Sequence, residues 1–376
     1  MRALAFTMGG ILALAVLLPA GVQATPRYAA RYRQNCNLCH HNPTGGGMRS
    51  SYASQYLVPT EMVIKPLPPE KLAKIQPQLS ESVAIGTDIR TIHHWADVDR
   101  QSPELNFFEM QGDLYVLFQA DERLSAYLDR GQSSTQELFG LAYVLPWTGF
   151  VKFGRFTPAY GWKFDDHRMF TREGKSGDNV PLDLFFEPPG HTDVGIEVGL
   201  YPGDFALVAS VLNGAFGSTS DFDQELGNTA QLTYRFDLGP LGFALGGSWL
   251  RNVESGGQRT AAGPFWAVQA GPFAWLGEVD WSELEASDSR RTALLTSHEV
   301  TWRLIRGLDL RGVFNYADPD IDQGTGLRIK TGGGLDALVT PFLGIKAMVN
   351  YYRNDAGLHV NDLDYTQSEF MLHLFY

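Results

Sequence analysis

Phe108-Glu109-Met110-Gln111-Gly112-Asp113-Leu114-Tyr115-Val116-Leu117-Phe118 is the stretch that decides the fold. Its even positions are Phe108, Met110, Gly112, Leu114, Val116 and Phe118; its odd positions are Glu109, Gln111, Asp113, Tyr115 and Leu117. Side chains of a strand alternate between two faces, so a period of two sorts these residues onto opposite sides of a sheet. The same sorting recurs in Leu327 to Ala337. There Leu327, Ile329, Thr331, Gly333, Leu335 and Ala337 stand against Arg328, Lys330, Gly332, Gly334 and Asp336. One face suits lipid and the other a wet lumen.

Working outward, the alternation runs from about Glu81 to Tyr376. Sixteen strands are expected, beginning near residues 81, 106, 122, 135, 150, 190, 204, 228, 241, 260, 272, 294, 308, 327, 342 and 364. Tight turns fall at Ala120-Asp121, Pro146 to Gly149, Tyr201 to Asp204, Leu238 to Leu241, Ala270 to Pro272, Ile305 to Gly307 and Thr340 to Leu343. The connections between them are mostly longer and more polar. Short turns on one side, long loops on the other and an even strand count predict an all-β, 16-stranded antiparallel transmembrane barrel. Closure satisfies every backbone group in lipid. Phe370, Leu372, Leu374 and Tyr376 end the chain in an alternating, aromatic-terminated strand.

Composition agrees. Glycine is abundant at 40 residues, aromatics make up 12% and charged residues only 19%. Residues 1–24 read as a secretory signal: Arg2 is its only charge, Gly9 to Gly21 is apolar, and Val22-Gln23-Ala24 offers a cleavage site. No later run approaches the roughly 20 apolar residues of a spanning helix. A net charge of -12 gives no reason to expect nucleic acid as a partner. The expected location is the outer membrane of a Gram-negative bacterium.

The two cysteines stand together in Cys36-Asn37-Leu38-Cys39-His40. This is the C-x-x-C-H spacing of covalent haem attachment. Two thiols add to the two vinyl groups of one porphyrin, and the next histidine supplies an imidazole to the iron. The reading is therefore one haem c, held by Cys36 and Cys39 with His40 as proximal iron ligand. A disulfide, a thiol redox pair or a zinc site are the alternatives. A two-residue loop makes a poor staple, and a zinc site would want more cysteine or histidine at set spacings. The distal ligand is left open among Met48, Met62 and His94, or an open position.

Asn42-Pro43-Thr44-Gly45-Gly46-Gly47 follows as a side-chain-poor loop that would let backbone lie against the porphyrin, or simply turn the chain. Met48 to Leu57 has helical spacing, and Pro66 to Pro69 suggests an extended linker. The chain thus divides into a signal peptide (1–24), a mainly helical or irregular haem segment with linker (25–75) and a porin-like barrel (76–376).

Together the haem motif at Cys36 to His40 and the barrel from Glu81 to Tyr376 resemble the monohaem porin–cytochrome c fusions of the outer membrane, known best from iron(II)-oxidising bacteria. The resemblance implies electron transfer across or at the outer membrane. The implied partners are membrane lipid, periplasmic cytochromes and an extracellular electron donor or acceptor such as a metal ion or mineral. Phe153-Gly154-Arg155-Phe156-Thr157-Pro158 resembles a strand-to-loop segment of phosphate-selective porins. A diffusion porin whose cysteines form a disulfide, and a surface haem enzyme or sensor, are the rival readings.

Asp88, Glu109, Asp113, Glu299, Asp309, Asp336 and Glu369 are expected to face the lumen, as are Arg90, Arg303, Arg311, Arg328, Lys330 and Lys346. Acidic groups also cluster in the long loops: Asp97 and Asp99; Asp165, Asp166 and His167; Asp221, Asp223 and Glu225; Asp355, His359 and Asp362. Asp318-Pro319-Asp320-Ile321-Asp322-Gln323-Gly324 has the start of a calcium loop, but Ile329 stands where the twelfth-position Glu would be. These read as a solvated acidic surface or, alternatively, as a weak surface site for a divalent cation. The third long loop, from about Pro158 to Gly190, is expected to fold into the pore.

Overall fold

A computed structural model describes residues 26–98, 103–131, 135–163, 169–171, 192–215, 225–254, 257–286, 289–324, 326–354 and 364–376. The signal-peptide reading, Asp99, Asp165, Asp166, His167, Asp221, Asp223, Asp355, His359 and Asp362 lie outside these residues. Sixteen antiparallel strands close into one barrel, β1 (Val83–Val98) pairing with both β2 (Glu104–Gln119) and β16 (Tyr365–Phe375). The strands between are β3 (Leu124–Arg130), β4 (Thr135–Leu145), β5 (Gly149–Phe156), β6 (Asp193–Leu200), β7 (Phe205–Leu212), β8 (Gly227–Leu238) and β9 (Leu241–Glu254). They continue as β10 (Gly257–Ala270), β11 (Phe273–Ala286), β12 (Ser289–Ile305), β13 (Leu308–Asp318), β14 (Arg328–Thr340) and β15 (Leu343–Asn354).

The expected strand starts match within a few residues, and each expected tight turn joins two strands at one end of the barrel. That end is periplasmic by the usual asymmetry of loop length. Outward residues such as Leu114, Leu138, Ile196, Leu232 and Leu372 are exposed, as a lipid-facing belt requires. No helix of the described residues is long and apolar enough to cross a membrane.

One inward assignment fails. The β1–β2 register slips between Arg90 and Thr91, so Arg90 faces Gln111 while Thr91 faces Glu109. A bulge of this kind reverses the parity of everything beyond it. Glu109 therefore follows Thr91 to the outer, exposed side. Asp88, Asp113, Glu299, Asp309, Arg90, Arg303, Arg311, Arg328 and Lys330 are buried inside, as expected.

The N-terminal segment is not a separate bead before the barrel but a plug in its periplasmic mouth. Helix α1 (Pro26–Tyr32) packs against β9, β10 and β11. Arg27 bonds Glu299 Oε1 at 3.3 Å and Asp336 Oδ2 at 2.7 Å. Arg31 reaches Asp309 Oδ1 at 3.5 Å and the Pro272 carbonyl at 2.9 Å. Farther on, the Ile64 and Lys65 amides bond the carbonyls of Leu338 and Val339, each at 2.9 Å. The chain just before the expected linker, Pro66 to Pro69, thus pairs with β14, and Pro69 opens a short helix, Pro69–Leu72. Met48 is not in a helix: the helical turns start at Ser51, and Ala53–Met62 is π-helical with Pro59 inside. Its Leu57 is buried, whereas Tyr52 and Tyr56 face outward.

The described part of the third long loop, residues 157–163 and 169–171, enters the lumen. After β5 the chain turns inward, and inward carboxylates and hydroxyls accept its backbone amides. The Thr157 amide bonds Glu137 Oε1 at 3.0 Å, Ala159 bonds Glu197 Oε2 at 3.0 Å, and Trp162 bonds Glu278 Oε2 at 2.8 Å. Tyr160 donates its hydroxyl to Asp280 at 3.0 Å, and the Phe170 amide reaches Asn315 Oδ1 at 3.3 Å. A buried loop is tolerated only when its backbone groups are satisfied in this way.

Lys152 and Glu197, both 0% exposed, form an ion pair of 2.5 Å that also supports the plug, because Lys152 Nζ bonds Asn42 Oδ1 and Thr44 Oγ1. Breaking a buried pair leaves a desolvated charge and costs about 3–5 kcal/mol. Lys152→Ala should lose stability of that order in denaturant unfolding from micelles, whereas the double variant Lys152→Met/Glu197→Leu should lose clearly less.

Candidate functional site

Between the plug and the inward loop lies a cavity of about 350 Å³, within the usual range of ligand pockets. Cys36, Cys39 and His40 line it, with Gly45 to Gly47 on the plug side. Tyr160 to Lys163 of the inward loop and Arg235, Asp129 and His373 of the barrel wall also line it. Cys36, Cys39 and His40 are thus brought to one cavity inside the barrel.

Local hydrogen bonds make the motif a compact knot. Cys36–Leu38 is one 3-10 turn, and the Cys39 and His40 amides both bond the Cys36 carbonyl, at 3.1 and 3.0 Å. His40 bridges to Arg49, the His41 amide bonds the Met48 carbonyl, and the Ser50 amide returns to the Cys39 carbonyl at 2.9 Å. The Asn42–Gly47 loop is clamped from outside as well. Asn42 donates to Glu137 Oε2 at 2.9 Å, and the Met48 amide donates to the Tyr127 hydroxyl at 2.9 Å.

Gly45, Gly46 and Gly47 have φ of 94, 79 and 62°, where L side chains are strained. A Cβ on Gly45 would sit 3.2 Å from Cys36 Sγ, and one on Gly47 would run into the Tyr127 hydroxyl. The loop is side-chain-free because there is no room for side chains between the motif and the wall.

Both cysteines are free thiols. Burial pushes both thiols up, Cys39 to about 11, with the nearby cations Arg235 and Lys163 opposing the shift at Cys36. They are therefore protonated at neutral pH, the opposite of a thiol redox pair, which needs a lowered thiol pKa. Burial, then the cations Arg49 and Lys163, lower His40 to about 4, with a backbone contact to Gly47 opposing them. The imidazole is neutral, the state that binds a metal. His40 Nδ1 is buried without a hydrogen-bond partner. Free thiols, a neutral imidazole and a side-chain-free floor fit the donor set that a c-type haem requires.

The structure does not bring the three distal candidates to this cavity. Met48 is buried in a cluster with Tyr115, Tyr127 and Phe139 of the barrel wall. Met62 packs with Tyr28, Cys39, Leu57 and Val58. His94 lies opposite Asn106 and Glu369 toward the long-loop end of β1. The second imidazole lining the cavity is His373, whose Nε2 is 2.9 Å from Asp88 Oδ1, with Arg90 on the other carboxylate oxygen at 2.8 Å. Its inward place follows from the alternation of β16, but its neighbours depend on closure against β1. Glu137, Glu197 and Glu278, which hold the inward loop and the plug, carried no motif.

The calcium-like stretch has a local explanation. Asp318 Oδ1 accepts the Asp320 amide at 3.1 Å, and Asp320 accepts the Asp322 amide and the Gln323 side chain at 3.1 and 2.7 Å. These carboxylates cap their own turn. Among the described residues no group of three or more His, Cys, Asp or Glu is placed to hold a metal ion.

No family model and no curated protein matches the sequence. Solved structures do match. The chain is similar to OmpT of Vibrio cholerae (11% identity, TM-score 0.55, covering 80% of this chain and 100% of that one). It is similar to the anion-selective porin of Comamonas acidovorans (11%, 0.57, 78% and 99%). It is also similar to the outer membrane channel DcaP of Acinetobacter baumannii (10%, 0.54, 80% and 100%). At such identities the likeness is one of fold. The barrel is of the Gram-negative outer-membrane porin kind, and its outer face meets membrane lipid.

Two outcomes follow from this geometry. Gly47→Ala should destabilise by the roughly 1–2 kcal/mol of a left-handed L residue plus the clash. In a Tyr127→Phe background, which removes the hydroxyl, its cost should shrink, as denaturant midpoints would show. In the folded apoprotein at pH 8, alkylation of Cys39 should run about a hundredfold slower than in the urea-unfolded chain, because the thiolate is scarcer and covered.

Proposed function

We propose that this porin-type barrel carries one covalent haem c in its periplasmic mouth and moves single electrons between the periplasm and an electron donor or acceptor beyond the membrane. The observation that carries the reading is the convergence of two free thiols, the neutral His40 and the side-chain-free Gly45–Gly47 loop on one cavity inside the barrel. A bound haem c supplies a one-electron iron couple.

The chain's own residues do the rest. Cys36 and Cys39 hold the group and His40 presents an imidazole. Lys163 and Arg235, the cations nearest Cys36, offer charge for the two propionates. The inward loop screens the lumen side, and α1 with its arginines fixes the plug. His373, held by Asp88, is a second imidazole in the lining of the cavity. Such a carboxylate–histidine pair is the arrangement that orients a ligating imidazole elsewhere. Periplasmic cytochromes and an extracellular metal ion or mineral are the partners this reading calls for.

A diffusion porin is the second reading, favoured by the fold it shares with the channels named above. It is the reading that the shared fold backs most directly, and a loop folded into the lumen is compatible with it. The free cysteines remove the disulfide that this reading invoked.

The deciding experiment expresses the full chain in a host that matures c-type cytochromes. Denatured protein should stain for haem, Cys36→Ala/Cys39→Ala should not, and the wild type should pass little current in a planar bilayer. Haem-free protein with the conductance of an open porin would overturn the electron-transfer reading in favour of the second. A carbon monoxide shift in the spectrum of the holoprotein would point instead to a surface haem enzyme or sensor.

A further inference from the structure

The periplasmic face of the plug carries an exposed aromatic pair that the fold does not use. Tyr52 and Tyr56 are 45% and 52% exposed, with ring centroids 5.5 Å apart. Neither contributes to a buried cluster, whereas Ala53, Leu57 and Val58 of the same stretch are buried against Cys39. Ile75 extends the patch: Gln55 Nε2 donates to its carbonyl at 3.1 Å and to the Tyr376 hydroxyl at 3.2 Å. Gln78 fixes the same segment to Ser51 at 2.6 Å. The patch is therefore held in one shape by the plug and the end of β16.

Its charge is the reverse of the chain's. Lys65, Lys71, Lys74 and Arg306 flank these segments and outnumber Glu61, Glu70 and Glu81, in a protein of net charge -12. Arg306 is tied to it through the Thr60 carbonyl at 3.1 Å. The patch is also wired to the motif. Ser50 bonds Cys39 through its amide at 2.9 Å and Leu38 through its hydroxyl at 2.8 Å, and Tyr52 follows two residues later. Aromatic centres with a charged rim are the usual anatomy of a transient protein contact.

We infer that Tyr52, Tyr56 and Ile75, rimmed by Lys65, Lys71, Lys74 and Arg306, dock a soluble periplasmic electron-transfer protein with an acidic face. The surface rests on the electron-transfer reading above, for which it supplies the periplasmic port. One electron crosses the contact; one centre is oxidised as the other is reduced, and no bond or proton need move. Rim charges set the encounter rate, and the aromatic centre sets the lifetime of the complex.

The test uses full-length holoprotein in micelles and, as probe, a soluble monohaem cytochrome c with its lysines succinylated, compared with the same cytochrome unmodified. Stopped-flow spectra give the second-order rate of electron exchange. The acidic probe should react faster than the basic one, and the advantage should fall as salt rises. Tyr52→Ser/Tyr56→Ser should slow the acidic probe about tenfold, the equivalent of about 1.4 kcal/mol. Lys65→Glu/Lys71→Glu/Lys74→Glu should slow it at least as much. Reduction by ascorbate, which needs no docking, should stay unchanged in both variants.

Unchanged rates with the acidic probe, or a preference for the basic one, overturn the surface. So does a Tyr52/Tyr56 variant that loses insertion into phospholipid vesicles while exchanging electrons normally, since the patch then meets lipid. Protein without haem overturns the electron-transfer reading itself, and this surface falls with it.

Discussion

A strand in lipid has no water to satisfy its backbone, so the sheet must close, and closure creates a lumen that the chain then has to fill. Everything peculiar to this protein follows from that constraint. The inward faces of the strands are polar, and their charges have lost bulk water. They are satisfied by two intruding segments rather than by one another alone. The inward loop gives its amides to Glu137, Glu197 and Glu278. The plug gives the guanidinium groups of Arg27 and Arg31 to Glu299, Asp336 and Asp309. Buried ion pairs of this kind add little net stability but fix geometry, because any other register would strand a charge.

That geometry explains where the motif sits. A segment of five residues cannot bury a cofactor alone, and the plug around it is too small to have an independent core. Inside the mouth it borrows walls. Tyr127 holds Met48, the Lys152–Glu197 pair holds Asn42, and the inward loop closes the far side. The cavity is lined by protein that the barrel already needed in order to satisfy its lumen. Burial also sets the chemistry of the donors, keeping both thiols protonated and His40 neutral.

The barrel was legible because its signals are local. Period two and turns such as Pro146 to Gly149 need no knowledge of distant residues, and the strand starts came out within a few positions. Glu109 was misplaced because a single bulge at Arg90/Thr91 inverts parity without leaving a mark in the pattern. The plug was invisible for the opposite reason: Arg27 and Glu299 are 272 residues apart, and nothing in either neighbourhood names the other. Cys36, Cys39 and His40 were legible from spacing, and the structure brings them to one cavity. Met48, Met62 and His94 were chosen by proximity or element type, and packing directs them elsewhere, while His373 reaches the cavity only because β16 closes on β1.

The central claim is one of placement: the haem iron proposed for the Cys36–His40 motif would lie inside the barrel at its short-turn mouth. Nitroxide labels on Glu122→Cys, at a short turn, and Ser289→Cys, at the opposite end, test it through paramagnetic relaxation by the ferric iron of the holoprotein. Strong relaxation enhancement at position 122 with weak enhancement at position 289 is the result this account predicts. Equal enhancement at both, or stronger enhancement at position 289, would contradict it.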